Sequence, residues 1–413
     1  MQININAPSS IKGKVVLPSS KSISNRALVI NSLSGNAASP ENVSDCDDTR
    51  VMIEWLSNLP QTINIGAAGT AMRFSTALLS VMEGTHSITG TERMKNRPIG
   101  ILVDALRVLG AVIDYEEKEG FPPLKIQGNS HLSGGDITLP GNVSSQYISA
   151  LLMIGPALEK GLRLILTDKI VSRPYIDMTL SIMQEYGASA SWESENVINV
   201  QPQPYKSRSY YVESDWSAAS YWYEMVALAD NDDAEIILPG LFAESLQGDS
   251  HGKEVFEKLG VKTQYVGRDV VLTKNGDCVD RLEYDFVEMP DLAQTFVVTC
   301  CMLGVPFHFT GLQSLKIKET DRIEALKKEL SKLGFIIEDR NDSELCWDGI
   351  QIVLDSNSID EIAIDTYEDH RMAMAFAPVA LKNGNIKINN PEVVSKSYPN
   401  YWGDLKSVGF SFD

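Results

Sequence analysis

Five amphipathic segments of the chain end in the same way, on a glycine between two apolar residues. The glycines are Gly110, Gly187, Gly260, Gly334 and Gly409, so the successive spacings are 77, 73, 74 and 75 residues. A glycine just past a helix is the usual left-handed stop. A fixed period of this length indicates an internal repeat. The pattern therefore predicts a set of similar supersecondary units, each containing a helix that ends at one of these glycines.

A second and more apolar helix is predicted to precede each of these segments. Six such helices begin with small polar residues, near residues 19, 66, 144, 215, 290 and 368, and continue almost wholly apolar. A helix that is apolar on all sides is buried. Short β-branched runs, such as 162–167 and 234–238, supply strands between the helices. The chain is thus expected to contain six units, each with a buried helix, a strand, a second helix and further strands, the first unit being the shortest.

Six units suggest two similar α/β domains of three units each, with a boundary near 205–214. Three parallel buried helices would form each core, and their N-termini would emerge on one face. Each N-terminus would offer unpaired N–H groups and the positive end of a helix dipole, which suit a phosphate or a carboxylate. The arrangement predicts a cleft that binds small anions.

Composition narrows the possible partners. The chain has 413 residues, 43% hydrophobic and 22% charged, which is typical of a soluble globular protein. Its net charge is 36 − 55 = −19, which argues against nucleic acid and against an anionic membrane surface. No apolar run reaches the roughly 18 residues that cross a bilayer. Five cysteines without CxxC spacing, and no leader-like N-terminus, predict a cytoplasmic protein with reduced thiols.

Basic residues at helix starts are unfavourable for the helix dipole, and in this acidic chain their positions are informative. Lys21 and Arg26 lie at the start of the first buried helix, and Arg371 lies in the first turn of the sixth. Each could be a solvated surface cation. Together they are better explained by a bound dianion, since breaches of local rules tend to mark function.

Other candidates follow from the same reasoning. Lys318 and Arg322 are predicted to begin the second helix of the fifth unit, on one face with Glu319. Arg97 precedes Pro98, which is expected to open a helix. Lys396 lies just before the last helix. Glu319 is either a general base or the ion-pair partner of Lys318.

Neutral donors and acids complete the candidate set. The polar donors at helix starts are Ser22, Ser144, Ser145, Gln146 and Ser172. Helix capping is the alternative role for each serine, and also for Asp291, which follows Pro290. No GxxxxGK[ST], GxGxxG or HExxH motif occurs, so no nucleotide or metal site is predicted.

Seven motifs, in order along the chain, resemble one family. They are 20-SKSISNRAL-28, 68-AGTAMR-73, 93-RMKNRPIGILVDALR-107, 143-VSSQYISALLM-153, 171-VSRPYIDMTL-180, 317-IKETDRI-323 and 369-DHRMAMAF-376. The chain resembles, nearly end to end, the 5-enolpyruvylshikimate-3-phosphate synthases, also called 3-phosphoshikimate 1-carboxyvinyltransferases.

The resemblance implies the enolpyruvyl transferase fold, an inverted α/β barrel of two domains, each with three βαβαββ units. One domain would take 1–19 with 214–413 and the other 20–213, and the two would close over the substrates. The implied reaction transfers the carboxyvinyl group of phosphoenolpyruvate to the 5-hydroxyl of shikimate 3-phosphate and releases phosphate. The resemblance implies no metal or organic cofactor, and a monomer is expected.

The resemblance also implies residue roles. Shikimate 3-phosphate would be bound by Lys21, Ser22, Arg26, Ser144, Ser145, Gln146, Ser172, Asp291 and Lys318. Phosphoenolpyruvate would be bound by Lys21, Gly69, Arg97, Gln146, Arg322, Arg371 and Lys396. Asp291 would accept the hydroxyl proton, Glu319 would transfer a proton at C3 with Lys21 also catalytic, and His370 would support the developing charge.

The sequence departs from the family pattern at a few positions. Ala67 and Phe74 stand where Asn and Pro are common, Ser314 replaces a frequent Asn, and Trp216 replaces a small residue. Two alternatives remain: the sister enzyme that transfers enolpyruvyl to UDP-N-acetylglucosamine with a loop cysteine, and a non-catalytic anion-binding relative.

Overall fold

A computed structural model of the chain describes residues 1–36, 38–267, 269–353 and 362–413. The described chain divides into two compact units. One consists of Ser19–Glu213, and the other combines Met1–Pro18 with Ser214–Asp413. Each unit has its own continuous hydrophobic core.

The helices of the unit Ser19–Glu213 are labelled α1 to α7. They are α1 (Lys21–Leu33), α2 (Asp47–Asn58), α3 (Gly69–Ser80), α4 (Glu92–Lys95), α5 (Gly100–Val108), α6 (Ser145–Ile154) and α7 (Arg173–Glu185). Its strands are Thr62–Asn64, Gly84–Thr89, Val112–Tyr115, Leu124–Gly128, Gly135–Pro140, Leu162–Thr167, Ala190–Ser194 and Val197–Val200.

The helices of the other unit are labelled α8 to α14. They are α8 (Trp216–Leu228), α9 (Gly252–Glu257), α10 (Ala293–Leu303), α11 (Arg322–Lys332), α12 (His370–Phe376), α13 (Ala380–Asn383) and α14 (Tyr401–Ser407). Its strands are Gln2–Asn6, Lys12–Lys14, Glu235–Pro239, Leu259–Val266, Asp269–Cys278, Leu282–Asp285, Phe307–Thr310, Glu338–Arg340, Glu344–Trp347, Ala363–Ile364, Asn385–Asn389 and Ser411–Phe412. Short 3₁₀ turns include Gly248–His251, Pro290–Leu292, Gln313–Ile317 and Pro391–Lys396.

One pairing pattern is common to all five four-stranded sheets of the described chain: a parallel pair of strands, followed by two strands that pair antiparallel. In the sheet that follows α2, Thr62–Asn64 leads into buried helix α3 and then pairs in parallel with Gly84–Thr89. The last two strands of that repeat, 112–115 and 124–128, form an antiparallel hairpin. Strand 124–128 of this hairpin pairs antiparallel with Gly84–Thr89. A parallel pair needs a crossover connection, and the buried helix provides it.

The first and last strands of the chain lie in the same sheet. Gln2–Asn6 pairs antiparallel with Asn385–Asn389 on one side and with Ser411–Phe412 on the other. The N-terminal strand therefore completes the last repeat, which explains why Met1–Pro18 belongs to the unit of the C-terminal half. The repeat that contains α1 and α2 is reduced, with one isolated parallel bridge between Glu41 and Tyr211.

The predicted buried helices form the cores. Helices α1, α3 and α6 contact one another in the first unit, as do α8, α10 and α12 in the second. Every residue of α12 is buried, and so is every residue of α8 except Ser217. The five repeat glycines all adopt positive φ, as the left-handed stop requires. The repeat prediction is confirmed.

Two predicted helix starts were wrong. Helix α5 begins at Gly100, not at Pro98, because the carbonyl of Pro98 instead accepts hydrogen bonds from Arg73 and Tyr147. Helix α11 begins at Arg322, with Asp321 as its N-cap, so Lys318 and Glu319 precede the helix. Of the helices that the structure describes, none is long and apolar enough to cross a membrane.

Candidate active site

The predicted site residues fall into two sets, one in each unit. In the first unit, α1 begins at Lys21 as the sequence predicts, and its cap is Ser20, whose hydroxyl accepts from the N–H of Ile23 at 3.4 Å. The Lys21 ammonium lies 3.3 Å from a carboxylate oxygen of Asp48, in the first turn of α2. That carboxylate offsets the unfavourable position of the lysine at a helix start.

Arg26 is buried and is held by neutral oxygens. Its Nε donates to Thr179 Oγ1 at 2.7 Å and its Nη2 to Ser149 Oγ at 3.0 Å. Its guanidinium also lies 5.3 Å from the ring centroid of Phe74 and 5.9 Å from that of Tyr175, both within cation–π range.

No carboxylate of the described residues forms an ion pair with Arg26. Burial lowers the pKa of its guanidinium to about 10, which still leaves it charged at neutral pH. Arg26 is therefore a buried positive charge whose protein partners are all uncharged.

Gly69 and Arg97 lie in contact. A Cβ placed on Gly69 would lie 2.5 Å from Arg97 Nη1, so only a glycine lets the guanidinium approach the start of α3. Arg73 fixes the same region, because its Nη1 donates to the Gly69 carbonyl at 3.2 Å and its Nη2 to the Pro98 carbonyl at 2.9 Å. The structure thus joins Gly69 and Arg97, and Arg73 is a supporting residue to which sequence reasoning assigned no role.

The predicted polar donors of this unit occupy helix starts. Ser144 caps α6 by accepting from the Gln146 N–H at 3.4 Å, and Gln146 Nε2 donates to Thr70 Oγ1 at 3.1 Å. Ser172 precedes α7 with φ of 55° and does not cap it. The hydroxyls of Ser22, Ser145 and Ser172 make no hydrogen bond within the described residues, so they are available to a ligand.

In the second unit, Arg322 is the centre of a charged network. It is 1% exposed, and its guanidinium contacts Asp369 at 2.7 Å, Glu319 at 2.9 Å and Asp291 at 3.0 Å. Burial alone would lower the pKa of Arg322, but the carboxylates of Asp369, Glu319 and Asp291 raise it above its ordinary value. This guanidinium is permanently charged, and it holds three acidic side chains in place.

Asp291 is surrounded by cations. Its Oδ1 lies 3.2 Å from Lys318 Nζ and 3.0 Å from Arg322 Nη1, and its Oδ2 lies 2.9 Å from Arg371 Nη2. Burial raises the pKa of this carboxyl, but Arg371, Lys318 and Arg322 outweigh burial and hold it well below its ordinary value. Asp291 is therefore ionised at neutral pH.

One further ion pair and a buried histidine extend the network. Lys396 Nζ lies 2.9 Å from Glu319 Oε1. His370 is buried beside Asp369, with Nδ1 3.7 Å from a carboxylate oxygen. The six predicted residues of this unit, Asp291, Lys318, Glu319, Arg322, Arg371 and Lys396, thus form one connected network. Sequence reasoning missed Asp369, although its position just before the sixth buried helix is an N-cap signal.

Four of the six buried helices carry a side-chain cap at the N-terminus, which is the alternative role that the sequence predicts for the serines. Ser20 caps α1, Ser144 caps α6, Asp215 caps α8 and Asp369 caps α12. A capping oxygen consumes an N–H group that a ligand would otherwise receive. Each of these four helix starts therefore has one unpaired N–H group fewer than an uncapped start.

The cysteines have no activated thiol. All five are free, four are buried, and Cys278 is exposed. Burial raises the pKa of every one of these thiols, which disfavours the nucleophilic thiolate. Within the described residues, no group of three or more His, Cys, Asp or Glu side chains could hold a metal ion.

Sheets of one repeated pairing pattern around buried helices define an α/β protein, and Lys21, Arg322 and Arg371 lie in the first turns of three of its helices. The sequence profile of EPSP synthase (3-phosphoshikimate 1-carboxyvinyltransferase) matches residues 5–64 and 57–405. The chain belongs to this family.

Individual relatives agree with this assignment. A 3-phosphoshikimate 1-carboxyvinyltransferase of Bacteroides fragilis (strain ATCC 25285) is 61% identical over 410 residues, which cover 99% of this chain and 98% of the relative. One of Sulfurovum sp. (strain NBC37-1) is 36% identical and covers 96% of this chain and 97% of the relative. The solved EPSP synthase of Acinetobacter baumannii has the same fold, with a TM-score of 0.77 at 19% identity over 100% of both chains.

Proposed function

We propose that the chain transfers the carboxyvinyl group of phosphoenolpyruvate to the 5-hydroxyl of shikimate 3-phosphate and releases phosphate. This is the reaction that precedes chorismate in the biosynthesis of aromatic amino acids. The assignment is supported by family membership over nearly the full chain. The observation that carries the chemistry is the network around Asp291, an ionised carboxylate held among three cations.

The proposed substrates are both polyanions, and the proposed contacts divide between them. Shikimate 3-phosphate is bound by Lys21, Ser22, Arg26, Ser144, Ser145, Gln146, Ser172, Asp291 and Lys318. Phosphoenolpyruvate is bound by Lys21, Gly69, Arg97, Gln146, Arg322, Arg371 and Lys396. The buried charge of Arg26, with no carboxylate to displace, and the three free serine hydroxyls support the assignment for the phosphate of shikimate 3-phosphate.

In the proposed first step, the 5-hydroxyl oxygen bonds to C2 of phosphoenolpyruvate. Asp291 accepts the hydroxyl proton, and C3 gains a proton, which gives a tetrahedral intermediate. Acceptance requires an ionised carboxylate at the start, and the cations around Asp291 maintain that state. Lys21 is the proposed donor at C3, since its ammonium lies at the start of α1 and 3.3 Å from a carboxylate oxygen of Asp48, which favours the charged form that carries the proton.

In the second step, the C2–O bond to phosphate breaks and C3 loses a proton, which forms the enol ether. Glu319 is the proposed acceptor of this proton. Two cations lie 2.9 Å from its carboxylate, Arg322 and Lys396, and they favour the ionised form that accepts a proton. The same cations stabilise the departing phosphate by fixed electrostatics, without reorganisation. The proposed chemistry needs no metal or organic cofactor.

The second candidate, transfer to UDP-N-acetylglucosamine through a loop cysteine, is disfavoured. Four of the five thiols are buried, and the exposed Cys278 ends a strand. We also infer a cytoplasmic monomer, because the chain is acidic, its thiols are free and the reaction needs only small molecules.

Product analysis tests the proposal. The chain is incubated with phosphoenolpyruvate and either shikimate 3-phosphate or UDP-N-acetylglucosamine, and ³¹P and ¹H NMR follow inorganic phosphate and the enol ether. We expect both products, in equal amounts, with shikimate 3-phosphate only. Products with the sugar nucleotide would identify the sister enzyme, and tight binding of both substrates without product would identify a binding protein.

A further inference from the structure

A buried acid that the proposed reaction does not use lies behind Arg371. Asp249 belongs to the 3₁₀ turn Gly248–His251 and is 5% exposed. Its Oδ2 accepts a hydrogen bond from the Ser217 hydroxyl. Its Oδ1 is buried and has no hydrogen-bond partner within the described residues. A buried carboxylate in this position would leave one oxygen uncompensated, which is costly.

The hydroxyl of Ser217 connects Asp249 to Arg371 by hydrogen bonds. Arg371 Nη2 lies 3.5 Å from Ser217 Oγ and 2.9 Å from Asp291 Oδ2. The same guanidinium nitrogen therefore faces Asp291 on one side and the Ser217–Asp249 pair on the other. Arg371 is one of the residues proposed to bind phosphoenolpyruvate, so a shift toward Asp249 would withdraw it from the substrate.

Burial and two neighbouring carboxylates oppose the ionisation of Asp249. Burial raises the pKa of Asp249 most, and the Asp291 carboxylate raises it next. Asp215 acts in the same direction, whereas Arg371 and the hydroxyl of Ser217 act against them. Together these raise the pKa of Asp249 to about 7. The carboxyl is thus neutral on the acid side of neutrality and ionised on the alkaline side.

We propose that Asp249 is a positioning residue for Arg371 that acts in its neutral form. The neutral carboxyl holds Ser217 but leaves the Arg371 charge to Asp291 and to the incoming anion. The ionised carboxylate competes for the guanidinium and weakens binding of the anion. This inference rests on the proposed function, in which Arg371 contacts phosphoenolpyruvate.

The test compares Asp249→Asn with the wild type between about pH 6 and about pH 9. The asparagine keeps the shape and stays neutral. A phosphate monoester is almost fully ionised above about pH 7. A change of KM in that range therefore arises from ionisation of the protein and not of the substrate. For the wild type we expect the KM for phosphoenolpyruvate to rise up to about tenfold per pH unit above the Asp249 pKa, with kcat much less affected. For Asp249→Asn we expect a low and flat KM.

Two further variants separate positioning from a structural role. Asp249→Ala removes the acceptor of Ser217 and is expected to raise KM at every pH, so that only the asparagine variant retains tight binding. Asp404→Asn is the control, because it removes another carboxyl of raised pKa, one hydrogen-bonded to Tyr398 and Asn400. This variant should keep the wild-type dependence of KM on pH. Equal pH profiles for Asp249→Asn and the wild type, or an unchanged KM in Asp249→Ala, would overturn the inference.

A readout without turnover keeps this test distinct from the test of the proposed function. In protein labelled with ¹³C at the aspartate carboxyl carbon, we expect one NMR signal to titrate near pH 7 and to vanish in Asp249→Asn. An Asp249 signal that titrates near its ordinary value of 3.8 would overturn the inference. Absence of phosphate release with shikimate 3-phosphate would refute the proposed function, while the NMR titration would still decide the protonation state of Asp249.

Discussion

Replacement of Arg322 by methionine tests the charged network most severely. The guanidinium is 1% exposed and contacts three carboxylates, those of Asp369, Glu319 and Asp291. Methionine fills a similar volume but leaves these acids without their central cation. Loss of one partner of a buried ion pair costs about 3–5 kcal/mol. For a unit of about 200 residues, this corresponds to a fall in Tm of roughly 6–20 °C.

The stability difference between wild type and Arg322→Met should depend on pH, and the pKa of Asp291 gives the direction of this dependence. The folded-state pKa of Asp291 is depressed, so its ionisation stabilises the fold above its ordinary pKa, and this contribution is lost as the pH falls through the folded-state pKa. In Arg322→Met part of the contribution is missing at neutral pH. The gap in stability between wild type and variant should therefore narrow as the pH falls below about 4, because Asp291 of the variant, with one cation fewer, is protonated before Asp291 of the wild type.

Thermal and urea unfolding, followed by tryptophan fluorescence, measure the difference. Arg340→Met is the matched control, because Arg340 belongs to the same unit and pairs with Glu338 at 3.1 Å, but both side chains are more than half exposed. An exposed pair contributes about 0–1 kcal/mol. Equal destabilisation of the two variants, or a gap for Arg322→Met that widens in acid, would refute the reasoning.

Two further substitutions test the other unit. In urea unfolding, Arg26→Met should lose less stability than Arg322→Met, because the protein partners of Arg26 are neutral. In calorimetry, Arg26→Met should bind shikimate 3-phosphate about 100-fold or more weakly than the wild type. A loss of stability as large as that of Arg322→Met would contradict this prediction. Gly69→Ala places a Cβ 2.5 Å from Arg97 Nη1, so it should raise the KM for phosphoenolpyruvate about tenfold or more, with Tm within a few degrees of wild type. An unchanged KM would show that Arg97 does not need this close approach.

Much of the fold could be predicted because its signals are local. A helix apolar on every side and a glycine just past a helix are readable in a window of a few residues, and both recur with the period of the repeat. The pairing of Gln2–Asn6 with Asn385–Asn389 is not readable in this way. It joins residues almost 400 positions apart, and no local pattern specifies such a partner.

The contacts among the candidate residues could not be predicted from residue type and spacing alone. Lys318, Glu319 and Arg322 were expected on one helical face, but α11 begins only at Arg322. Lys318 and Arg322 converge because both donate to Asp291, 27 residues before Lys318, and Glu319 joins them by accepting from Arg322. Among the consecutive serines at the start of α1, the sequence alone could not distinguish the capping Ser20 from the free Ser22. Asp249 gave no signal at all, since its burial depends on tertiary packing.

The most direct test of the central claim is the initial rate of phosphate release from phosphoenolpyruvate, with and without shikimate 3-phosphate. The wild type is compared with Lys21→Met, Asp291→Ala and the surface control Lys160→Met. We predict release that requires shikimate 3-phosphate, with the control unchanged. Asp291→Ala should fall about 10²–10⁴-fold through loss of the proton acceptor, and Lys21→Met by about 100-fold or more. Release without shikimate 3-phosphate, or full activity in Asp291→Ala, would contradict the account.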